Sequence, residues 1–146
     1  MTDSHRWLRD AAWRDLALPL LIYSALALLI TWPLAAHLST HVAGPEYADS
    51  VEYARLGWWA KYALQHGLNP FYQGLFGFPD GFFSAPQWSQ PLIYWPIALL
   101  DTLFDPIASF NIWLLLEIIL SGLTAYWLCR EILRDAPHRT IPALFG

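Results

Sequence analysis

Two long apolar runs limit what this chain can fold into. Leu16 to Ala36 is 21 residues without a charge, and Ile107 to Cys129 is 23 residues with one, Glu117. At about 1.5 Å per helical residue, each is long enough to cross a hydrocarbon core of roughly 30 Å. Composition points the same way. Of the 146 residues, 56% are hydrophobic and 14% charged, against roughly 45–50% and about 25% in soluble domains. A small soluble domain has too much surface for so few charges to cover. The expected fold class is an all-α integral membrane protein. It is expected to be multi-pass in the cell inner or plasma membrane, with the lipid bilayer as its first partner.

Charge and cysteine content exclude other classes. A net charge of -4 leaves no basic surface for nucleic acid. Cys129 stands alone, so neither an internal disulfide nor a cysteine metal cluster is available. The charges gather at Thr2–Asp15, Glu46–Lys61 and Arg130–Arg139. Arg6, Arg9 and Arg14 precede the first apolar run, and only His37 and His41 follow it closely. The positive-inside tendency therefore puts the N-terminus in the cytoplasm and the next loop on the far side.

Residues 1–15 predict a short amphipathic helix on the cytoplasmic surface, with Trp7, Leu8, Ala11 and Ala12 at roughly helical spacing. Residues 16–36 predict a transmembrane helix, with Pro19 near its start and Pro33 near its end. Residues 37–90 predict an outer loop. Within it Gly44-Pro45 is a turn signal, and Asp49-Ser-Val-Glu52 has the form of a capping box. Val51, Ala54, Trp58, Tyr62 and Gln65 then mark one face of an interfacial helix over about 49–66, closed by Gly67 and Asn69-Pro70. Arg55 and Lys61 project elsewhere.

Prolines break any helix across Phe71–Gln90, and Pro79-Asp80-Gly81 is a turn. The aromatic residues from Phe71 to Trp88 either pack on a membrane surface or line a groove. Residues 91–104 predict a short transmembrane or re-entrant helix interrupted by Pro96, followed by a tight turn at Asp105-Pro106. Residues 107–129 predict a transmembrane helix. Residues 130–146 predict a polar connector, with Ile141 to Gly146 expected to open further chain. Three full crossings would leave Arg130–Arg139 outside, against the charge rule. If 91–104 does not cross, those arginines fall inside.

The order of these features resembles a known family. An apolar first span and an acidic outer loop with an amphipathic helix come first. His66-Gly-Leu-Asn-Pro-Phe-Tyr72, Phe78-Pro-Asp-Gly81, Gln90-Pro-Leu-Ile-Tyr-Trp-Pro96 and a Leu-Phe-Asp-Pro turn follow. Residues 16–133 resemble the N-terminal portion of the GT-C superfamily of polytopic membrane glycosyltransferases. They are most similar to a bacterial, mostly uncharacterised subgroup of large multi-span members. The resemblance implies transfer of a sugar from a polyprenyl-phosphate carrier on the outer side. It implies an active-site acid in the first outer loop, best matched by Asp49 and less well by Glu46. Glu46, Glu52, Trp58 and Tyr62 become expected substrate-binding residues, with lipid-linked sugar and further transmembrane helices of the same or another chain as partners. The family's later spans and outer-loop acids are not in this sequence, so transfer by this portion alone is not expected.

Each candidate has a structural alternative. Asp49 acts as a base only within hydrogen-bond reach of the proton it takes, whereas as a helix N-cap it contributes about 1 kcal/mol. Glu46, Asp49 and Glu52 offer oxygens to a divalent cation, which needs several such ligands. A solvated capping region has the same composition. His37 and His41 have zinc-like spacing but lie where the helix ends, which suits interfacial polar residues as well. Glu117 costs about 3 kcal/mol at mid-span by insertion scales, so it faces protein or water. It also motivates a transporter reading. Asp101 lies nearer an end and is expected to reach the interface. The competing function is a non-enzymatic small membrane protein that docks to a larger partner through Ser121-Gly122 and Glu117.

Overall fold

The computed structural model describes residues 3–45, 49–85, 89–134 and 140–145. The chain is mostly helical, with α1 (Asp3–Ile30), α2 (Ser50–Gln65), α3 (Pro91–Leu100) and α4 (Pro106–Ile132). A 3-10 turn covers Leu34–Ala36 and a short helical turn covers Thr140–Ala143. The stretch expected to be irregular contains a small antiparallel hairpin. In it β1 (Tyr72–Gln73) pairs with β2 (Phe82–Phe83), with Tyr72 opposite Phe83 and Gln73 opposite Phe82. Pro79 falls in the connecting turn and leaves the four paired residues their amides, while Ala85 and Ser89 are helical despite the prolines expected to break any helix there. The chain divides into two compact units, Trp32–Leu114 and a second made of Met1–Thr31 with Leu115–Gly146.

In the Trp32–Leu114 unit, α2 and α3 pack through small residues. Ala54, Gly57, Ala60 and Ala63 recur every third position of α2 and are buried. A Cβ on Gly57 would lie 2.9 Å from Ile97 Cβ, closer than side chains tolerate. That approach explains why the buried face differs from the expected aromatic one. Val51 is exposed, Trp58 and Tyr62 are half-buried, and the seam is lined by alanines and glycine. Ala54, Ile97 and Phe110 form the centre of the core, with Val42, Ala43, Tyr53, Ile93 and Trp113 packed around them.

The first turns of α4 belong to this unit. Asp105 Oδ1 accepts from the amides of Ile107 at 3.0 Å and Ala108 at 2.9 Å, and Pro106 opens the helix. Asp105-Pro106 is thus an N-cap followed by proline at the first helical position, where its missing N–H costs nothing. One turn on, the buried Asn111 holds the preceding loop. Its Nδ2 donates to the carbonyls of Leu38 and His41, both at 2.7 Å, and its Oδ1 accepts from Ala43 N at 3.1 Å. This amide satisfies three backbone groups that would otherwise lack partners in a segment without regular structure.

In the other unit, α1 is continuous from the polar N-terminal segment into the apolar run. It stops at Ile30 rather than Ala36, because Pro33 disfavours helical backbone at Trp32. A Cβ on Gly122 would lie 2.6 Å from Tyr23 Cγ, so the tyrosine ring fills the space that the glycine leaves. Tyr23 Oη donates to the Leu144 carbonyl at 3.2 Å. Ala27, Leu123 and Tyr126 are buried, yet Leu21, Leu29 and Leu128 are each more than 60% exposed. Among the described residues, α4 is the one helix long and apolar enough to cross a membrane. Only 11% of its most apolar window is buried within the protein, unlike the core helix of a soluble domain. The apolar part of α1, Leu16–Ile30, is shorter.

Candidate functional site

Two acidic residues of the middle segment, Asp49 and Glu52, lie at the start of α2. Asp49 occupies the N-cap position, and its carbonyl accepts from Tyr53 N at 3.0 Å. Its exposed carboxylate makes no cap hydrogen bond. The expected capping box therefore does not form. The reason is Arg55, one turn along the helix, which takes the Glu52 carboxylate through both Nε, at 2.8 Å, and Nη2. A two-pronged contact with a guanidinium outcompetes a reach back to one backbone amide.

Arg55 also donates through Nη1 to Oε1 of the buried Gln73, and its guanidinium lies 4.5 Å over the Phe76 ring. One side chain thus ties α2 to β1 and to the loop beyond it. Glu52 is fixed by this contact. Tyr53 stacks in parallel with Phe110 at 6.3 Å and lies 5.7 Å from Tyr94. Burial pushes the Tyr94 phenol up to about 12, and Tyr53, Glu52 and Asp49 push in the same direction. The phenol therefore keeps its proton at neutral pH and faces the same end of α2. The arrangement puts an exposed carboxylate and a buried phenol at the same end of α2.

Trp58 and Tyr62 belong to a different place. Their rings stack at 5.3 Å, and Tyr62 in turn stacks on His66 at 4.0 Å. Tyr62 and Trp59 line a groove of about 440 Å³ with Leu68, Asn69, Tyr72 and Leu75. The 13 residues from Asp49 to Tyr62 correspond to roughly 20 Å of helix. The structure thus brings Asp49 and Glu52 together with Tyr94, and it puts Trp58 and Tyr62 at a separate surface. Glu46 lies outside the described residues.

Asp101 departs from expectation. It does not reach outward: its side chain is fully buried, and Oδ2 lies 2.6 Å from Lys61 Nζ. The same ammonium donates to the Asp101 carbonyl at 3.0 Å. Asp101 ends α3 directly opposite the last turns of α2, so Lys61 draws it inward. Spacing rules missed this pair, as well as Arg55, Tyr94 and Asn111. Tyr94 left a signal, since it falls inside the Gln90–Pro96 motif, and so did Arg55, three positions after Glu52. Among the described residues, no three His, Cys, Asp or Glu side chains gather as a metal would require. His37 and His41 meet edge to face at 4.7 Å, and His41 Nδ1 is 2.9 Å from Thr40 Oγ1. No protein-family model, no curated protein and no solved structure matches this chain.

Proposed function

We propose that this chain is the N-terminal, acceptor-side portion of a GT-C-like membrane glycosyltransferase. The supporting observation is Asp49, an exposed carboxylate at the head of α2 that makes no cap hydrogen bond and, among the described residues, no ion pair. In the proposed step, Asp49 takes the proton of an acceptor hydroxyl. The hydroxyl oxygen forms a bond to the anomeric carbon of a polyprenyl-phosphate-linked sugar. The sugar–phosphate bond breaks, and the polyprenyl phosphate leaves with the electron pair. Further transmembrane helices, of the same or another chain, are needed to hold that donor. Asp49→Asn in the assembled protein is expected to abolish transfer while membrane insertion and expression stay unchanged. Retained transfer would remove Asp49 from the mechanism.

The same proposal has α4 and the apolar half of α1 crossing the inner or plasma membrane. The ten residues of α3 extend roughly 15 Å, about half a hydrocarbon core. With α3 not crossing, Arg6, Arg9 and Arg14 share the cytoplasmic side with Arg130, Arg134 and Arg139, as the positive-inside bias favours. Cysteine labelling at Gln73 and Arg139 tests this: reagent confined to the outer side should reach only Gln73. The competing reading, a docking protein that uses Ser121-Gly122, has less support. Tyr23 of the same chain already fills the notch at Gly122.

A further inference from the structure

The hairpin of the Trp32–Leu114 unit exposes an apolar tip. Phe78 is 83% exposed, Leu75 78% and Phe83 61%. Left to itself, such surface would fold inward, since burial of each such side chain is favourable. Three features brace it outward. Tyr72 Oη donates to the Asp80 carbonyl at 2.7 Å across the turn. Gly77 and Gly81 adopt left-handed backbone, at φ 70° and 72°. A Cβ on Gly81 would run into the Tyr72 ring, so the turn closes tightly against it. On the opposite face, Gln73 is buried and Phe76 lies under Arg55 and meets Phe82 edge on at 5.5 Å. The inner face is therefore fixed to α2, and the outer face is presented.

We propose that this outer face is a membrane wedge, seated in the headgroup–acyl boundary of a neutral lipid bilayer. The argument for lipid as occupant rests on position and charge. Ala108, Ser109, Phe110 and Asn111 are buried in this unit, while α4 continues without a break into its exposed apolar length. No linker separates the unit from the proposed spanning helix, so it is held at the bilayer surface. Between Gly67 and Leu100 the only charged residue is Asp80. Nothing there would attract anionic headgroups or pair with a charged protein partner. Aromatic and leucine side chains on a rigid tip are suited to the interface.

The wedge rests on the reading that α4 is in a bilayer, and one experiment separates the two. Cys129→Ser leaves a chain ready for single-cysteine labelling. Leu75→Cys, Phe78→Cys and Leu120→Cys each carry an environment-sensitive fluorophore in phosphatidylcholine nanodiscs. Leu75 and Phe78 are exposed, so substituting them leaves the packed face intact. Emission at 75 and 78 is expected to shift to the blue and to be lost on adding lipid spin-labelled near the headgroup. Aqueous iodide should have little effect, and raised salt none. Quenching by iodide but not by lipid at 75 and 78, with Leu120 still quenched by lipid, overturns the wedge alone. Protection from both quenchers identifies a protein occupant, such as a second copy, and also overturns it. Iodide quenching at Leu120 overturns the membrane reading itself.

Discussion

At the C-terminal end of α2, Lys61 reaches a fully buried carboxylate, Asp101, at 2.6 Å. At the N-terminal end, Asp49 is exposed and its carboxylate makes no cap hydrogen bond. Both acids border the same helix pair, and their environments are opposite. A buried carboxylate held by an ammonium joins two helices. An exposed carboxylate that makes no cap bond contributes little to the fold. The contrast can be measured, because the two ends should respond to substitution on very different scales.

The largest effect is expected at the buried end. Lys61→Met would strand the Asp101 charge, which costs roughly 3–5 kcal/mol when one partner of a buried pair is removed. Chemical denaturation in detergent would read this as an earlier midpoint. Adding Asp101→Leu should restore most of the loss, because the uncompensated charge disappears with it. A silent Lys61→Met would break the comparison outright. Next comes the seam between the two ends. Gly57→Ala puts a methyl group against Ile97 and should cost roughly 1–3 kcal/mol through overpacking. Its denaturation midpoint should fall while Asp49 remains accessible to carboxyl-directed labelling.

These sites also mark where sequence stops being informative. The bounds of α2 were readable because Gly67 and Asn69-Pro70 end it locally. The helix of α4 was readable from an apolar run that holds a single charge, Glu117. The early stop of α1 at Ile30 was available in principle from Pro33, but apolar length masked it. What could not be read are partners far apart in the chain. Lys61 and Asp101 are 40 positions apart, and Asn111 and Ala43 are 68 apart. Helical spacing rules register neighbours three and four positions away, which is how Glu52 and Arg55 could have been paired. At Asp49 the pattern Asp-Ser-Val-Glu fitted a capping box, and only the competing guanidinium of Arg55 explains why none forms.

A smaller effect is expected at Asp105, the acid at the head of α4, whose carboxylate does cap. Asp105→Ala should cost about 1 kcal/mol. The Ala108 amide, and after it the Ser39 hydroxyl and the Ile107 amide, hold its carboxyl below the usual value. A folded-state pKa below the unfolded one stabilises the fold above the unfolded value, about 3.9. That stability is lost as pH falls through the folded value. The difference between wild type and Asp105→Ala, followed by denaturation from pH 7 downward, should therefore shrink below about pH 4. A constant difference would mean that the carboxylate is not what holds the turn.

The smallest effect sharpens the comparison most. Asp49 and Asp105 are the same residue type directly before a helix, so Asp49→Ala and Asp105→Ala form a matched pair. If Asp49 capped α2, its loss would also cost about 1 kcal/mol. With no cap bond, what remains is its attraction to the positive end of the helix, worth roughly 0.3–1 kcal/mol at low salt and screened by salt. In molar salt, Asp49→Ala should fall within about 0.5 kcal/mol of wild type, as surface changes usually do, while Asp105→Ala keeps its deficit. A salt-resistant loss at Asp49 equal to that at Asp105 would return the residue to a structural role. The sugar-transfer proposal would then lose the carboxylate on which it depends.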